Sequence, residues 1–544
     1  MGLGAAKVII NEIDRSFAVD SEVNLPMAAL VFFYGEWGPV NSVEYVKSSK
    51  QFVDKFGIPI SPVEDSLGDN YLSWVHAMQV SGKIPTYAIR VADTSTPGNK
   101  ASSTVNLLID PSTPSDSDLF TVTAKYYGKY GNRLVVSLEK SKSLYYLTVY
   151  EIKNDDVDIS SGVDDKLTII EQFAFTDSDF TETKIESIDS EYIDINILDL
   201  TNLKTILSKD SKDHRLFVNV GTDKLYFYNI EDFAEDNEAS GTANHLSVNS
   251  HVAGSTNSIS SMSSTLSTVI ADNELANTEK YKFNFILSNG LGKFDDLGTT
   301  WNSGEMMKII LGLAYSRKDC IAIGETDDKD SVNELVDSVS SVPRDVRGSY
   351  GIVYGPWTIS VDPISGKDMH IAPSYAMFDH YVSTQVSGQV WLVPAGLSRG
   401  KALGTPTFSL LYDQQETLLE NQINPIINEP EGIYANGYLT LYASTSALNR
   451  IHARRLAILL EQKGYELTQQ FLFEYATPAV ISSLRLVLEK VFINIANQGG
   501  LLGYKIQIDD SLLETNGMVT VNLSFKPPRA IDFIELTFTV KTQL

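Results

Sequence analysis

In residues 519–526 the chain alternates Val519, Val521, Leu523 and Phe525 with Thr520, Asn522, Ser524 and Lys526. That period of two marks a strand with one buried face. Pro527 and Pro528 end the run, because proline donates no N–H to a ladder. A second alternation follows, with Ile534, Leu536, Phe538 and Val540 on one face and Glu535, Thr537, Thr539 and Lys541 on the other. Residues 7–13, carrying Val8, Ile9 and Ile10, form another short β-prone run. These runs are expected to be arms that add strands to neighbouring subunits.

Between them the periodicity changes along the chain. Residues 28–34 read as a buried strand, 48–56 as a helix with Phe52 and Phe56 four apart before Gly57, and 71–82 as a second helix ending at Gly82. Residues 86–91 read as a strand, which makes an α/β unit. After the linker-like 93–98, short strands are expected at 135–138, 144–150, 167–173, 216–220 and 225–230, and residues 239–271 as a polar return. Helices at 304–315 and 331–342 then alternate with strands at 320–324 and 351–361. A helix at 374–386, a strand at 390–393, a helix at 414–421 and a strand at 438–442 follow. Two helices, 446–463 ending at Gly464 and 478–497 ending at Gly499, close the series. The class is mixed α/β (α+β) and multidomain: an α/β core from the N- and C-terminal parts, an inserted acidic β-rich domain and terminal strand arms. The divisions expected are arm 1–20, core 21–94 with 272–395, insertion 95–271, a C-terminal domain 396–526 and arm 527–544.

Charge sharpens that division. The 544 residues carry a formal net charge of −26. Residues 151–240 hold 23 acidic against 8 basic residues, a net of −15, so the insertion reads as a solvated exterior domain. Residues 440–505 run the other way, with seven basic and four acidic residues. Arg450 and Arg454 are four apart on one helix, with Arg455 and Lys463 beside them. An acidic chain without clustered Lys and Arg is not built to grip duplex nucleic acid. One cysteine, Cys320, allows no intrachain disulfide and no cysteine-based zinc site. The first residues lack the apolar core of a signal peptide, and no run reaches the length of a membrane span, so a soluble cytoplasmic product without membrane insertion is expected.

Catalytic patterns are weak. Gly396-Leu397-Ser398-Arg399-Gly400 matches G-x-S-x-G, but residues 401–406 read as a loop where a nucleophile elbow needs a helix, and no histidine stands in a partner motif. Gly128 and Gly131 lack the spacing and lysine of a phosphate loop. His370 and His380, ten apart, do not have ligand spacing, and the pairs Asp155-Asp156, Asp164-Asp165 and Asp327-Asp328 lack a calcium-loop pattern. No cofactor or metal is expected, and the chain does not read as an enzyme.

Four blocks, in order, make the chain resemble the contractile tail sheath proteins of bacteriophages. The first runs from Phe52, Phe56 and Gly57 through the helix to Gly82 and on to Tyr87-Ala88-Ile89-Arg90-Val91. The second is Ala124-Lys125-Tyr126-Tyr127-Gly128-Lys129-Tyr130-Gly131-Asn132, which departs from the family in having Tyr130 where tryptophan is commoner. The third spans Ile371-Ala372-Pro373-Ser374, Asp379 and Trp391-Leu392-Val393-Pro394-Ala395-Gly396. The fourth is Arg454-Arg455-Leu456 and Phe471-Leu472-Phe473-Glu474, followed by the strand pair around Pro527-Pro528. The insertion's length and acidity also depart from the family.

The resemblance implies a helical homopolymer of stacked rings around a tail tube. Its arms would be strand-exchanged through Val8, Ile9, Ile10, Ile534, Leu536, Phe538 and Val540. It also implies contraction that drives the tube through the host envelope, without nucleotide. The implied partners are further copies of the chain, the tube protein, and baseplate and tail terminator proteins. The implied location is the virion, after assembly in the host cytoplasm. Arg450, Arg454, Arg455 and Lys463 are candidates for the tube-facing surface. A sheath of a phage-tail-like bacteriocin or injection particle would read alike. A surface-layer or adhesin protein would explain only the acidic strands, and a hydrolase rests on Ser398 alone.

Overall fold

The computed structural model describes residues 27–59, 68–92, 100–108, 117–152, 167–208, 215–220, 225–228, 245–252, 262–293, 301–475, 477–509, 511 and 519–530 of the 544. All seven arm residues singled out above, Val8 to Ile10 and Ile534 to Val540, lie outside these.

The chain opens with β1 (Ala29–Phe33), every residue of which is buried, then β2 (Glu44–Val46), α1 (Ser49–Phe56), α2 (Gly68–Lys83) and β3 (Thr86–Arg90). Helix α1 starts where Ser48 accepts a hydrogen bond from the Gln51 amide at 3.2 Å, and it stops at Gly57, whose φ of 61° suits a residue without a Cβ. Phe52 and Phe56, one turn apart, lay their rings 5.0 and 4.8 Å from Phe33 of β1.

The insertion supplies β4 (Ser102–Leu108), β5 (Ser117–Ala124), β6 (Leu134–Ser141), β7 (Leu144–Ile152), β8 (Leu167–Thr176), α3 (Glu182–Glu186), β9 (Ile193–Ile197), α4 (Leu200–Leu207), β10 (Arg215–Asn219), β11 (Leu225–Tyr228) and β12 (His245–Val252). They form two antiparallel sheets, ordered β11-β10-β6-β7-β8 and β12-β4-β5-β9, around a core of their own. Residues 262–271, expected within a polar return, are instead helix α5 (Met262–Asp272), which buries Met262, Leu266 and Val269 in the main core. After it come β13 (Phe285–Leu287), α6 (Ser303–Arg317), β14 (Ile321–Glu325), α7 (Val332–Ser338) and β15 (Gly351–Gly355).

The run expected as one strand over 351–361 splits at Pro356, which has no N–H for the ladder. Beyond it, β16 (Thr358–Val361), β17 (Asp368–Ile371) and β18 (Thr405–Pro406) make a separate small sheet, and α8 (Pro373–Ala376), α9 (Phe378–Val386) and the single turn α10 (Gly396–Arg399) come between β17 and β18 in the chain. Residues 390–393 are a turn rather than the expected strand. Val390 and Trp391 are buried instead with Leu456 and Leu459 in the C-terminal core, a placement that periodicity cannot tell from a strand.

The last elements are α11 (Tyr412–Glu420), β19 (Ile423–Glu429), β20 (Gly432–Ala435), α12 (Ile451–Gln469), α13 (Pro478–Asn497), β21 (Gly503–Asp509) and β22 (Thr520–Lys526). Residues 438–442 make one isolated bridge, Leu439 to Arg450, because the Asn424 amide side chain takes the place of a strand partner. Its Nδ2 donates to Leu439 O at 2.9 Å, and its Oδ1 accepts from Leu439 N at 2.7 Å. Helix α12 runs through Gly464 instead of ending there. A mid-helix glycine costs about 1 kcal/mol relative to alanine, and burying Leu467 one turn on, in the C-terminal core, offsets it.

The main sheet has the order β2-β3-β1-β13-β14-β15-β19-β20. Its six central strands are parallel and its two edge strands antiparallel. Strands 423–429 and 432–435 therefore complete the sheet that begins at Ala29. The 395/396 boundary expected from the sequence falls inside this body. The second core begins instead with Val390 and Trp391 and is completed by α12, α13, β21 and β22.

A tight joint ties the insertion to the main sheet. Trp37 lies 4.8 to 5.9 Å from the rings of Tyr126, Tyr130 and Tyr192. Gly128, at φ 120°, passes so close to the main body that an added Cβ would lie 2.1 Å from Glu36 O and 2.9 Å from Arg90 Nη2. Gly128→Ala is expected to destabilise the protein by about 2–4 kcal/mol. Gly366→Ala, at φ 70° with nothing within 4 Å of the new methyl, should lose only about 1 kcal/mol. Thermal unfolding checks the pair, and equal losses would refute the steric account.

Candidate functional site

The residues that carry the sheath resemblance meet in space. Arg90, at the end of β3 and fully buried, donates from Nε to Gly35 O at 2.6 Å, from Nη1 to Gly38 O at 2.8 Å and from Nη2 to Tyr127 O at 2.8 Å. The first block thereby grips the second. Burial lowers the guanidinium to about 10, so it stays charged at neutral pH. Lys83, at the end of α2, pairs with Asp379 at 2.7 Å and sits 4.0 Å over the Tyr375 ring, linking the first block to the third.

Arg455 joins the third block to the fourth. Its Nη1 donates to Thr384 Oγ1 at 2.8 Å, and its Nη2 donates to Gln385 Oε1 at 3.0 Å and Tyr381 O at 3.4 Å. Its guanidinium also faces the Tyr381 and Phe285 rings, at 5.2 and 5.6 Å. Arg454 donates to Ser349 Oγ at 2.7 Å and lies 4.1 Å over Tyr350. Each of these two arginines is only 4% exposed. Helical spacing makes them candidates for a tube-facing surface, but in this chain they face inward and brace α12 against the main body. Helical spacing gave the i, i+4 pair correctly but could not say which side of α12 is covered. Arg450, 5.2 Å over the Tyr438 ring, and Lys463, paired with Glu466 at 2.8 Å, are the two of the four that reach the surface.

Six parallel strands in the order 2-1-3-4-5-6 place a topological switch between β1 and β13, where such sheets take ligands beyond the carboxyl ends. Here the chain fills that crevice itself. Asn289, fully buried at φ 61°, donates to Ser73 O at 2.7 Å, and Tyr34 N donates to Ser73 Oγ at 3.0 Å. Glu325 accepts from Gly290 N at 3.0 Å and from Ser288 Oγ. Burial pushes its carboxyl up, and hydrogen bonds from Ser288, Ser374 and Gly290 oppose the shift. Leu72, Trp357 and Ala372 close the remaining space over Gly290.

The G-x-S-x-G stretch is the turn α10. It follows a turn rather than a strand, so no strand carries Ser398 into an elbow. His380 lines the same cavity as Ser398, but burial, with Arg455 and Arg399 nearby, lowers it to about 3, which leaves a feeble base at neutral pH. Asp328 is bound to His370 Nδ1 at 2.6 Å, and Asp327 accepts from Ser303 N at 2.8 Å. The pairs Asp155-Asp156 and Asp164-Asp165 lie outside the described residues. Among the described residues no group of acidic, histidine or cysteine side chains has metal-holding geometry, and no helix is long and apolar enough to cross a membrane. Cys320 is buried, and burial raises its thiol well above the usual range.

The hairpin β21–β22 is a two-faced ribbon. Tyr504, Ile506 and Ile508 with Val521, Leu523 and Phe525 pack on the helical pair, while Lys505, Gln507, Asn522 and Ser524 lie on the other face. Among the described residues each strand pairs only with the other.

The fold as a whole is similar to that of a sheath tail protein. The structure matches the sheath tail protein of Listeria innocua with a TM-score of 0.52, covering 93% of this chain and 92% of that one at 13% identity. In sequence the chain is similar to the tail sheath protein of Vibrio phage KVP40, 25% identical over 201 residues, and to that of Salmonella phage ViI, 26% identical over 245 residues. These matches cover 36% and 42% of this chain, which spans 30% and 38% of the lengths of those two relatives. No protein-family profile matches the chain. The likeness to contractile tail sheath proteins read from the four blocks is thus met in both sequence and fold.

Proposed function

We propose that this chain is a structural subunit of a contractile tail sheath, a sleeve of identical copies around a tail tube that shortens to drive the tube through a cell envelope. The observation that carries this reading is the similarity to two phage tail sheath proteins, in a chain that takes a sheath-protein fold along nearly its whole length.

The two-stranded sheet gives the reading a mechanism. A lone hairpin is marginal in water, and adding a strand at either edge extends its ladder. Arms of the pattern at Val8–Ile10 and Ile534–Val540 are suited to supply those strands from neighbouring copies. Backbone pairing of that kind tethers subunits without fixing their faces, so rigid bodies can rotate into tighter packing while the mesh stays connected. The energy for contraction would be stored during assembly, with no nucleotide bound. The acidic insertion, a separate double-sheet body, belongs on the outside of such a sleeve, where the charge of −15 on its residues 151–240 is solvated. Arg450 and Lys463 remain candidates for a weak, screened contact with an acidic tube, worth about 0–1 kcal/mol per exposed pair. Baseplate and terminator proteins would bound the sleeve, and the virion would be its place after assembly in the host cytoplasm.

The test is assembly itself. The purified full chain should form striated tubes visible by negative-stain microscopy. Deleting residues 1–14 or 529–544 should leave a folded, soluble subunit that forms none. Normal polymerisation of either truncated chain would rule out strand donation by that arm.

A further inference from the structure

We propose that the cavity between α9 and the turn at residues 396–401 is a receptor for a carboxylate side chain of a second copy of this chain. The inference deepens the polymer reading and rests on it. The cavity holds about 320 Å³ and is lined by Asp379, His380, Ser398, Arg399 and Lys401, with the hydroxyl face of α9.

Its charge is unbalanced. Asp379 is already paired with Lys83 at 2.7 Å. Arg399 and Lys401, both exposed at the cavity's rim, have no carboxylate partner among the described residues. His380, lowered by burial to about 3, is neutral. With Asp379 taken up by Lys83, the lining is left with two unpaired cations, Arg399 and Lys401. A carboxylate can lie between the two and pair with both. Arginine also offers a planar fork matched to a carboxylate.

The hydrogen-bonding groups point to the same ligand. Ser383 and Thr384 donate to His380 O at 2.9 and 3.0 Å, so their hydroxyls are committed. Ser398 has no such bond among the described residues, and Nε2 of His380, in a side chain 6% exposed, is buried without a hydrogen-bond partner. The wall is also rigid. Gly400 N donates to Gly396 O at 2.7 Å, Ala435 N to Gly400 O at 2.8 Å, and Ala402 N to Ile433 O at 3.1 Å, which pins the basic turn to β20. A preset donor site loses less conformational freedom on binding. The matching acid is abundant on the chain itself, whose net charge is −26 with −15 of it in residues 151–240. Charge complementarity of this kind sets the register between copies more than it adds affinity.

Zero-length carbodiimide cross-linking of the assembled full chain tests the inference, using an equal mixture of ¹⁵N-labelled and unlabelled protein. Lys401 should appear by mass spectrometry joined to an Asp or Glu of the oppositely labelled copy. In a second arm, the double variant Arg399→Glu/Lys401→Glu should unfold at the wild-type temperature and need about tenfold more protein to polymerise. Arg399→Gln/Lys401→Gln should fall between, which covers the case in which the reversal variant misfolds. The inference is overturned if other lysines cross-link between copies while Lys401 does not. It is equally overturned if the folded variants polymerise like the wild type. Failure of the wild-type chain to polymerise at all would instead refute the sheath reading, and this inference with it.

Discussion

Arg90→Met is expected to cost about 3–5 kcal/mol of unfolding free energy, because two buried carbonyls and one half-buried carbonyl lose their donor at once. The acceptors are Gly35, Gly38 and Tyr127, and methionine fills the volume but donates nothing. Two of them belong to the loop after β1 and the third to the insertion, so the loss falls on the joint rather than on either core. Urea unfolding followed by tryptophan fluorescence suits the measurement, since Trp37 sits in that joint. An early transition of the insertion, separate from that of the main sheet, is the expected form of the change. A loss under about 1 kcal/mol, within the range of an ordinary surface substitution, would mean that Arg90 is not what fastens the two bodies.

Arg455→Ala should be comparably damaging, at about 3–5 kcal/mol, while Arg450→Ala on the same helix should change stability by about 0–1 kcal/mol. Arg455 satisfies Thr384, Gln385 and Tyr381 and fills the space between two aromatic rings. Arg450 keeps its contact with Tyr438 near the surface. Thermal unfolding of both variants, paired with tube co-sedimentation, separates a structural from a contact role. If Arg455→Ala left stability unchanged but weakened tube binding, the inward placement of its guanidinium would not hold in the assembled sleeve.

These arginines also mark where the sequence stops being legible. Helix α13 could be read because its instructions are local: Thr477 caps it by accepting from Val480 N at 3.3 Å, Pro478 stands in its first turn, and Leu484, Leu488, Phe492 and Ile495 repeat at helical spacing. Helix α1 and strands β1 and β3 could be read for the same reason. Arg90 was visible only as a letter in a motif, since its acceptors lie 37 to 55 residues away. The inward turn of Arg454 and Arg455 has the same origin, because Ser349 and Thr384 are 105 and 71 residues distant. Strand β21 was missed even though Tyr504, Ile506 and Ile508 alternate with Lys505, Gln507 and Asp509. That alternation was the signal, and it lay next to a stronger one in β22. The plugged crevice beside β1 had no local signal, because Ser73, Asn289, Glu325 and Ser374 converge from four separate parts of the chain.

The outer edges of β21 and β22, which no other described strand pairs, also matter before any partner arrives. An unpaired edge is a template for whatever strand meets it, including the same edge of another molecule in the wrong register. What holds such encounters off in a dilute pool is the chain's own charge of −26, and mutual repulsion reaches only about 10 Å at 0.1 M salt. The unassembled subunit is therefore guarded against aggregation over little more than the width of one strand pair, and salt thins that guard further. A chain built this way is safest when synthesis, folding and capture by a growing end follow one another without a long wait as a free monomer.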